Sequence, residues 1–182
     1  MKKICVFCGA RSGLRPAYVA AARAFGRLLA DRRLGLVYGG GRIGLMGEMA
    51  QAALDHGGDV TGVIPGYLSR QELQHPGLDT CHVVSGLMER KAMMMEIADA
   101  FVALPGGIGT LDEILEVMAW RGLKRLDKPI GFFNVDDFFD PWRGTLDHLV
   151  REGFVNAEEI AKLVFDADPE RLLERLGCGP VR

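Results

Sequence analysis

The chain has 182 residues, of which 48% are apolar and 25% charged, the balance of a folded globular protein with a full hydrophobic core. Twenty-two Lys and Arg against 24 Asp and Glu leave a formal net charge of −2, so no basic excess points to nucleic acid or an anionic membrane as a partner. No apolar run approaches the length of a membrane-spanning helix, and the opening apolar stretch stops at Gly9, too short for a signal core. The expectation is a cytoplasmic protein made of one domain over 1–182.

Residues 3–8 are apolar and β-favouring, a first strand. They contain Cys5 and Cys8 at the C-x-x-C spacing of redox and zinc sites. No second zinc pair follows, and a strand interior does not stabilise a thiolate, so buried reduced thiols are expected. A turn-rich loop over 9–16 leads to a helix over 17–31, opened by Pro16 and patterned by Val19, Ala22, Phe25, Leu28 and Leu29.

A short strand over 35–38 runs into the glycine-rich stretch 39–47 and then a helix to about His56. Gly39, Gly41 and Gly44 fit G-x-G-x-x-G between strand and helix, and Met46 falls in the same stretch. A dinucleotide fold also wants an acid at the tip of the next strand to hold the ribose diol. The strand over 59–64 ends in Val-Ile-Pro-Gly instead, which lowers the case for NAD and leaves a glycine-rich ligand loop or plain helix–sheet packing. The long connection 65–79 carries Arg70, Glu72 and His75, each a side chain that a ligand or solvent can claim. A strand over 80–84 and a helix over 87–98 follow. The helix bears Arg90 and Lys91 near its start, where the helix dipole mildly disfavours cations, and Met93, Met94 and Met95 as core filler.

The apolar run 100–104 enters Pro105-Gly-Gly-Ile-Gly-Thr-Leu-Asp-Glu113, and an amphipathic helix over 110–122 leaves it. Gly106, Gly107 and Gly109 permit a sharp turn with bare N–H groups beside a helix N-terminus, where a phosphate is favoured. No Gly-Lys-Ser/Thr follows, so this is not the ATP-binding loop. Thr110 is expected to cap the helix, with Glu113 completing a capping box or facing the ligand. Glu113, Glu116 and Trp120 share one helix face, where a partner subunit or a base has room to cover the Trp. The acidic segment 136–140 reads as a turn before a helix over 141–152. A strand over 128–134, a last strand over 162–165 and a last helix over 169–176 complete the alternation. The fold class is α/β: a doubly wound, Rossmann-like domain with a mainly parallel sheet of about seven strands and helices on both faces. In such a sheet the loops 9–15 and 39–47, the start of the 87–98 helix and the turn after Leu104 all lie at the carboxyl edge, where ligands bind.

These residues resemble a known family. Pro105-Gly-Gly-Ile-Gly-Thr-Leu-Asp-Glu113 is similar to its signature Pro-Gly-Gly-x-Gly-Thr-x-x-Glu. The stretch 39–47, Met88-Glu-Arg-Lys91, Val6-Phe-Cys-Gly9 and Asp127-Lys-Pro129 match as well. The family is the Lonely Guy family of cytokinin-activating phosphoribohydrolases, and the resemblance spans about 4–154. It implies hydrolysis of the N-glycosidic bond of an adenosine 5′-monophosphate, N6-substituted or plain, giving a free base and ribose 5-phosphate. Arg90 and Glu113 are implied as the catalytic pair. Lys91, Gly106, Gly107, Ile108, Gly109, Thr110, Leu111 and Asp112 are implied as substrate-binding, and Glu72, Gly41, Met46 and Ser12 join them as candidates. The resemblance implies a homodimer; no cofactor is expected, and no metal-ligand set is visible in the sequence. Two departures, Ala10 for a commoner serine and Ala119 for a commoner threonine, bear on substrate preference. A cleaved ribosyl bond builds positive charge on the sugar, and a carboxylate at Glu113 suits that charge, as stabiliser or as base. The rival expectations are a non-catalytic sensor of AMP-like ligands and a decarboxylase, which needs a pyridoxal-phosphate lysine.

Overall fold

The computed structural model describes residues 1–69, 73–78 and 80–179. Its first half runs β1 (Lys3–Phe7), α1 (Pro16–Asp31), β2 (Gly35–Tyr38), α2 (Gly44–Asp55), β3 (Val60–Pro65), a single turn α3 (Gly66–Leu68) and β4 (Thr80–Val84). The second half runs α4 (Leu87–Ile97), β5 (Ala100–Ala103), α5 (Ile108–Gly122), β6 (Ile130–Phe133), α6 (Asp140–Arg151), α7 (Ala157–Ala161), β7 (Val164–Asp166) and α8 (Pro169–Arg175).

The seven strands form one parallel sheet in the order β4-β3-β2-β1-β5-β6-β7. Alternate strand residues face opposite layers. Ile4, Val6, Leu36, Val60 and Val102 pack with buried residues of α1, α2 and α8. Cys5, Phe7, Val37, Val63 and Phe101 pack with those of α4, α5 and α6. Burial on both faces explains why the strands read as continuous apolar runs rather than alternating ones. The chain builds outward from β1 in one direction and from β5 in the other. The β1–β5 pair, in register from Ile4↔Ala100 to Phe7↔Ala103, is therefore the switch point, and the loops leaving these two strands part to opposite faces.

Differences from the sequence expectations are local. Cys8 lies just past β1, and the 3–8 run ends as strand at Phe7. Helix α7 was not expected; its signal is Asn156, whose side chain accepts from the Glu158 N–H at 2.9 Å. The Asp136–Asp137 turn has φ of +48° and +59°, the left-handed region that short polar side chains tolerate. Cys5, Cys8 and Cys178 are buried free thiols, and burial pushes the Cys5 and Cys8 thiols well up from their ordinary value. No helix among the described residues is long and apolar enough to cross a membrane.

The far end of the sheet carries an ion-pair cluster around Asp166. The Asp166 side chain is only 4% exposed and accepts from Arg171 Nη2 at 2.6 Å and Nε at 2.7 Å, with Arg175 Nη1 at 3.3 Å. Arg171 and the Asp168 N–H hold its carboxyl at about 2, below the unfolded value near 3.9. A depressed folded value stabilises the native state above pH of about 4, and that contribution disappears as pH falls toward 2. Asp166→Asn is expected to cost about 1 kcal/mol at neutral pH, discounted because both arginines are exposed. Urea unfolding at pH 7 and pH 3 checks it: the gap between wild type and variant shrinks at the lower pH.

Candidate active site

A cavity of about 570 Å³ opens at the switch point. Its walls come from the loop after β1 (Gly9 to Gly13), the start of α2 (Leu45, Met46), the turn after β5 (Pro105 to Gly107) and the first turns of α5. Arg90 of α4 and Glu113 of α5 line it as well, and Tyr18 and Phe138 form an edge-on aromatic pair on its wall, centroids 5.6 Å apart.

Helix α5 begins at Ile108, two residues before the expected start, with Gly107 as its N-cap. Thr110 is therefore inside the first turn rather than the cap, and no side chain caps this end, so the expected capping box does not form. The first intrahelical bond at this end runs from Leu111 N to Gly107 O at 3.1 Å. The N–H groups of Ile108, Gly109 and Thr110 precede it and lack a partner within the helix. The first turn holds no acid to answer the dipole. Together these features make the turn receptive to an anion. Gly106 is required here: a Cβ on it would sit 2.1 Å from Thr110 Oγ1 and 3.0 Å from the Gly9 nitrogen. The Gly9 N–H donates to Pro105 O at 3.0 Å, tying the two loops together.

Arg90 Nη2 lies 3.1 Å from Glu113 Oε1, and each side chain is only 12% exposed. Burial raises the Glu113 carboxyl above its ordinary range, and the Arg90 guanidinium opposes that rise. The buried Arg90 Nε has no protein hydrogen-bond partner among the described residues. Backbone at Gly39 makes room for the guanidinium, since a Cβ there would meet Arg90 Nη2 at 2.0 Å.

Of the residues named from sequence, Arg90, Glu113, Gly106, Gly107, Ile108, Gly109, Thr110, Met46 and Ser12 line the cavity. Lys91, Leu111, Asp112 and Gly41 do not. Lys91 turns instead to Asp112 Oδ2 at 3.1 Å and to Glu116, tying α4 to α5 behind the Arg90–Glu113 pair. Hydrogen bonding to Glu116 is the main reason its ammonium is held above its ordinary value. Gly41 lies behind Met46, whose Cε a Cβ on Gly41 would meet at 3.0 Å. Glu72 and Arg70 lie outside the described residues. His75 is buried away from the cavity, its backbone N–H on Gly40 O at 2.9 Å. The sequence reading missed Arg11, Tyr18, Phe138 and the role of Gly39. The first three follow β1 or β6 at the sheet's carboxyl edge, a positional signal available once strand order is known.

Fold and cavity define a Rossmann-like α/β protein with an anion-ready glycine turn and a buried carboxylate–guanidinium pair at its switch point. A family model described as "Possible lysine decarboxylase" matches residues 46–176. The chain is 45% identical over 172 residues to the cytokinin riboside 5′-monophosphate phosphoribohydrolase LOG of Oryza sativa subsp. japonica, covering 94% of this chain and 71% of the relative. It is 42% identical over 170 residues to the cytokinin riboside 5′-monophosphate phosphoribohydrolase of Rhodococcoides fascians, covering 93% and 86%. A molybdenum cofactor binding protein from Rippkaea orientalis shares the fold at a TM-score of 0.72 and 20% identity, covering 96% and 94%. The chain belongs to the cytokinin riboside 5′-monophosphate phosphoribohydrolase family.

Proposed function

We propose that the protein hydrolyses the N-glycosidic bond of adenine-type nucleoside 5′-monophosphates, N6-substituted or plain, releasing the free base and ribose 5-phosphate. The observation that carries this reading is the buried Arg90–Glu113 pair opening on the same cavity as the uncapped start of α5. The names of the relatives support it.

In this reading the 5′-phosphate rests on the Ile108, Gly109 and Thr110 amides, with Gly106 and Gly107 shaping the turn and Ser12 beside it. The sugar then lies against Glu113 and Arg90, and Met46 forms part of the wall. Water attacks C1′ as the bond to the base breaks. The electron pair of that bond leaves with the base, which also takes a proton, and the water contributes OH to C1′. Positive charge on the sugar is greatest midway, and ionised Glu113, its side chain only 12% exposed, meets it. Arg90 holds Glu113 ionised against the effect of its burial. Lys91, Asp112 and Leu111 act from behind, through the bridge between α4 and α5 and through the helix itself.

A decarboxylase of the pyridoxal-phosphate type needs a lysine that can lose its proton to form a Schiff base. No lysine among the described residues lines the cavity, and Lys91 is held protonated by two acids. The residues present do not fit that group.

We further propose a cytoplasmic homodimer acting through one domain. The free thiols suit a reducing compartment, and the exposed Leu87, Met88, Leu115, Trp120 and Leu123 of α4 and α5 and the residue after α5 give a second copy an apolar face to cover. The test of the activity incubates purified protein with AMP and with isopentenyl-AMP and looks for free base by chromatography. Base and ribose 5-phosphate are expected in equal amounts; intact nucleotide after prolonged incubation with both would overturn the proposal.

A further inference from the structure

The charges of the cavity do not balance without its loop arginine. Among the described residues three charged ones line it: Arg11, Arg90 and Glu113. Arg90 and Glu113 neutralise each other at 3.1 Å. The helix start adds only about half a positive charge. A sugar phosphate at neutral pH carries nearly two negative charges. Of the other basic groups nearby, Arg15 pairs with Asp136 at 3.8 Å, Lys91 pairs with Asp112 and Glu116, and Arg42 does not line the cavity. Among the described residues Arg11 has no ion-pair partner, and it is exposed.

The backbone of Arg11 is also fixed where a phosphate ligand needs it. A Cβ on Gly44 would meet the Arg11 nitrogen at 2.4 Å, and one on Gly9 would meet its carbonyl oxygen at 2.8 Å. Gly44 itself has φ of +59°. The loop is thus packed against the start of α2 on one side. On the other it is tied to the phosphate turn through Gly9 and Pro105.

We propose that Arg11 is the cationic phosphate contact of this enzyme, the residue that makes the site select phosphorylated over unphosphorylated ribosyl ligands. The assignment rests on the phosphoribohydrolase reading for its substrate and on the cavity's charge for its ligand class. Arg11 acts on binding alone; it has no place at the bond being broken.

The test separates binding from turnover. Ribose 5-phosphate is titrated calorimetrically into wild type, Arg11→Ala and Arg11→Lys, and KM and kcat are measured with AMP. Arg11→Ala is expected to weaken ribose 5-phosphate binding and raise KM by about tenfold or more, the scale of one charge-assisted hydrogen bond. Its kcat stays within about twofold of wild type, and Arg11→Lys recovers most of the affinity. Unchanged affinity in Arg11→Ala, a loss confined to kcat, or no ribose 5-phosphate binding by wild type would each overturn the assignment. Wild type that binds ribose 5-phosphate tightly through Arg11 yet releases no base would sink the hydrolase reading and leave this one standing.

Discussion

Glu113→Gln is expected to lower base release from a nucleoside monophosphate by at least about a hundredfold, the usual scale for one charge-stabilising group. The substitution keeps the shape of the side chain and removes its charge. It leaves the Arg90 guanidinium, 12% exposed, without its carboxylate. Arg90→Ala is expected to lose a similar factor, because burial then acts on Glu113 without its main opposing charge, leaving only the weaker pull of Lys91, and favours its neutral form. The two losses are not additive, since either change disables the same pair. The pH profile gives an independent check. In the proposed mechanism the active form has Glu113 ionised, and burial raises its carboxyl, so activity is expected to fall on the acid side from a pH above the ordinary glutamate range near 4.3. Glu113→Gln lacks that limb. A residual rate in the variant that still follows the wild-type acid limb would assign the limb to another group. Ribose 5-phosphate affinity is expected to survive Glu113→Gln, because in the proposed binding mode the phosphate rests on amides and on Arg11.

The second large effect comes from a residue with no chemistry of its own. Gly39→Ala places a methyl where Arg90 Nη2 now lies, 2.0 Å away. The obstructing atom is the far end of a flexible side chain, so the fold accommodates the methyl by moving the guanidinium off Glu113. Activity is expected to fall to roughly the level of Arg90→Ala, about a hundredfold, while the urea midpoint changes little. Met46 Sδ, 3.3 Å from the same point, leaves little room for the guanidinium to return by another path. A Gly39→Ala enzyme with near-normal kcat would show that Arg90 reaches Glu113 by more than one route.

The architecture was legible because doubly buried strands and amphipathic helices leave different periods in the sequence, and turn residues punctuate them. Strand count, the parallel sheet and the meeting of four segments at one edge all followed from that alternation. The meeting of Arg90 and Glu113 at one cavity was legible because Met88-Glu-Arg-Lys91 and the glycine signature are specific in combination. Helix starts were less legible. Thr110 looks like a cap, yet Gly107 takes that position, since a glycine turn can enter the helix without a side-chain acceptor. The direction of Lys91 was not legible at all. It follows Arg90 in sequence, but adjacent helix residues point about 100° apart, and only the packing of α4 against α5 decides which of them meets Glu113 and which meets Asp112 and Glu116. Arg11 was hidden for a related reason: a loop arginine carries no periodic signal, and its value depends on which other charges are already paired.

The placement of the cavity between β1 and β5 has a consequence for how the protein comes together. The Lys3 N–H binds Asp99 Oδ2 at 2.7 Å across 96 residues of chain, and the whole β1–β5 seam has similar sequence separation. One half supplies the 9–13 loop and the start of α2, the other Arg90, Glu113 and the turn after β5, so neither half holds the complete ligand pocket. It exists only after this long-range closure, among the more entropically demanding contacts in the topology. A bound sugar phosphate would act as a stitch across that seam, raising the cost of local opening there above that of the outer strands β4 and β7.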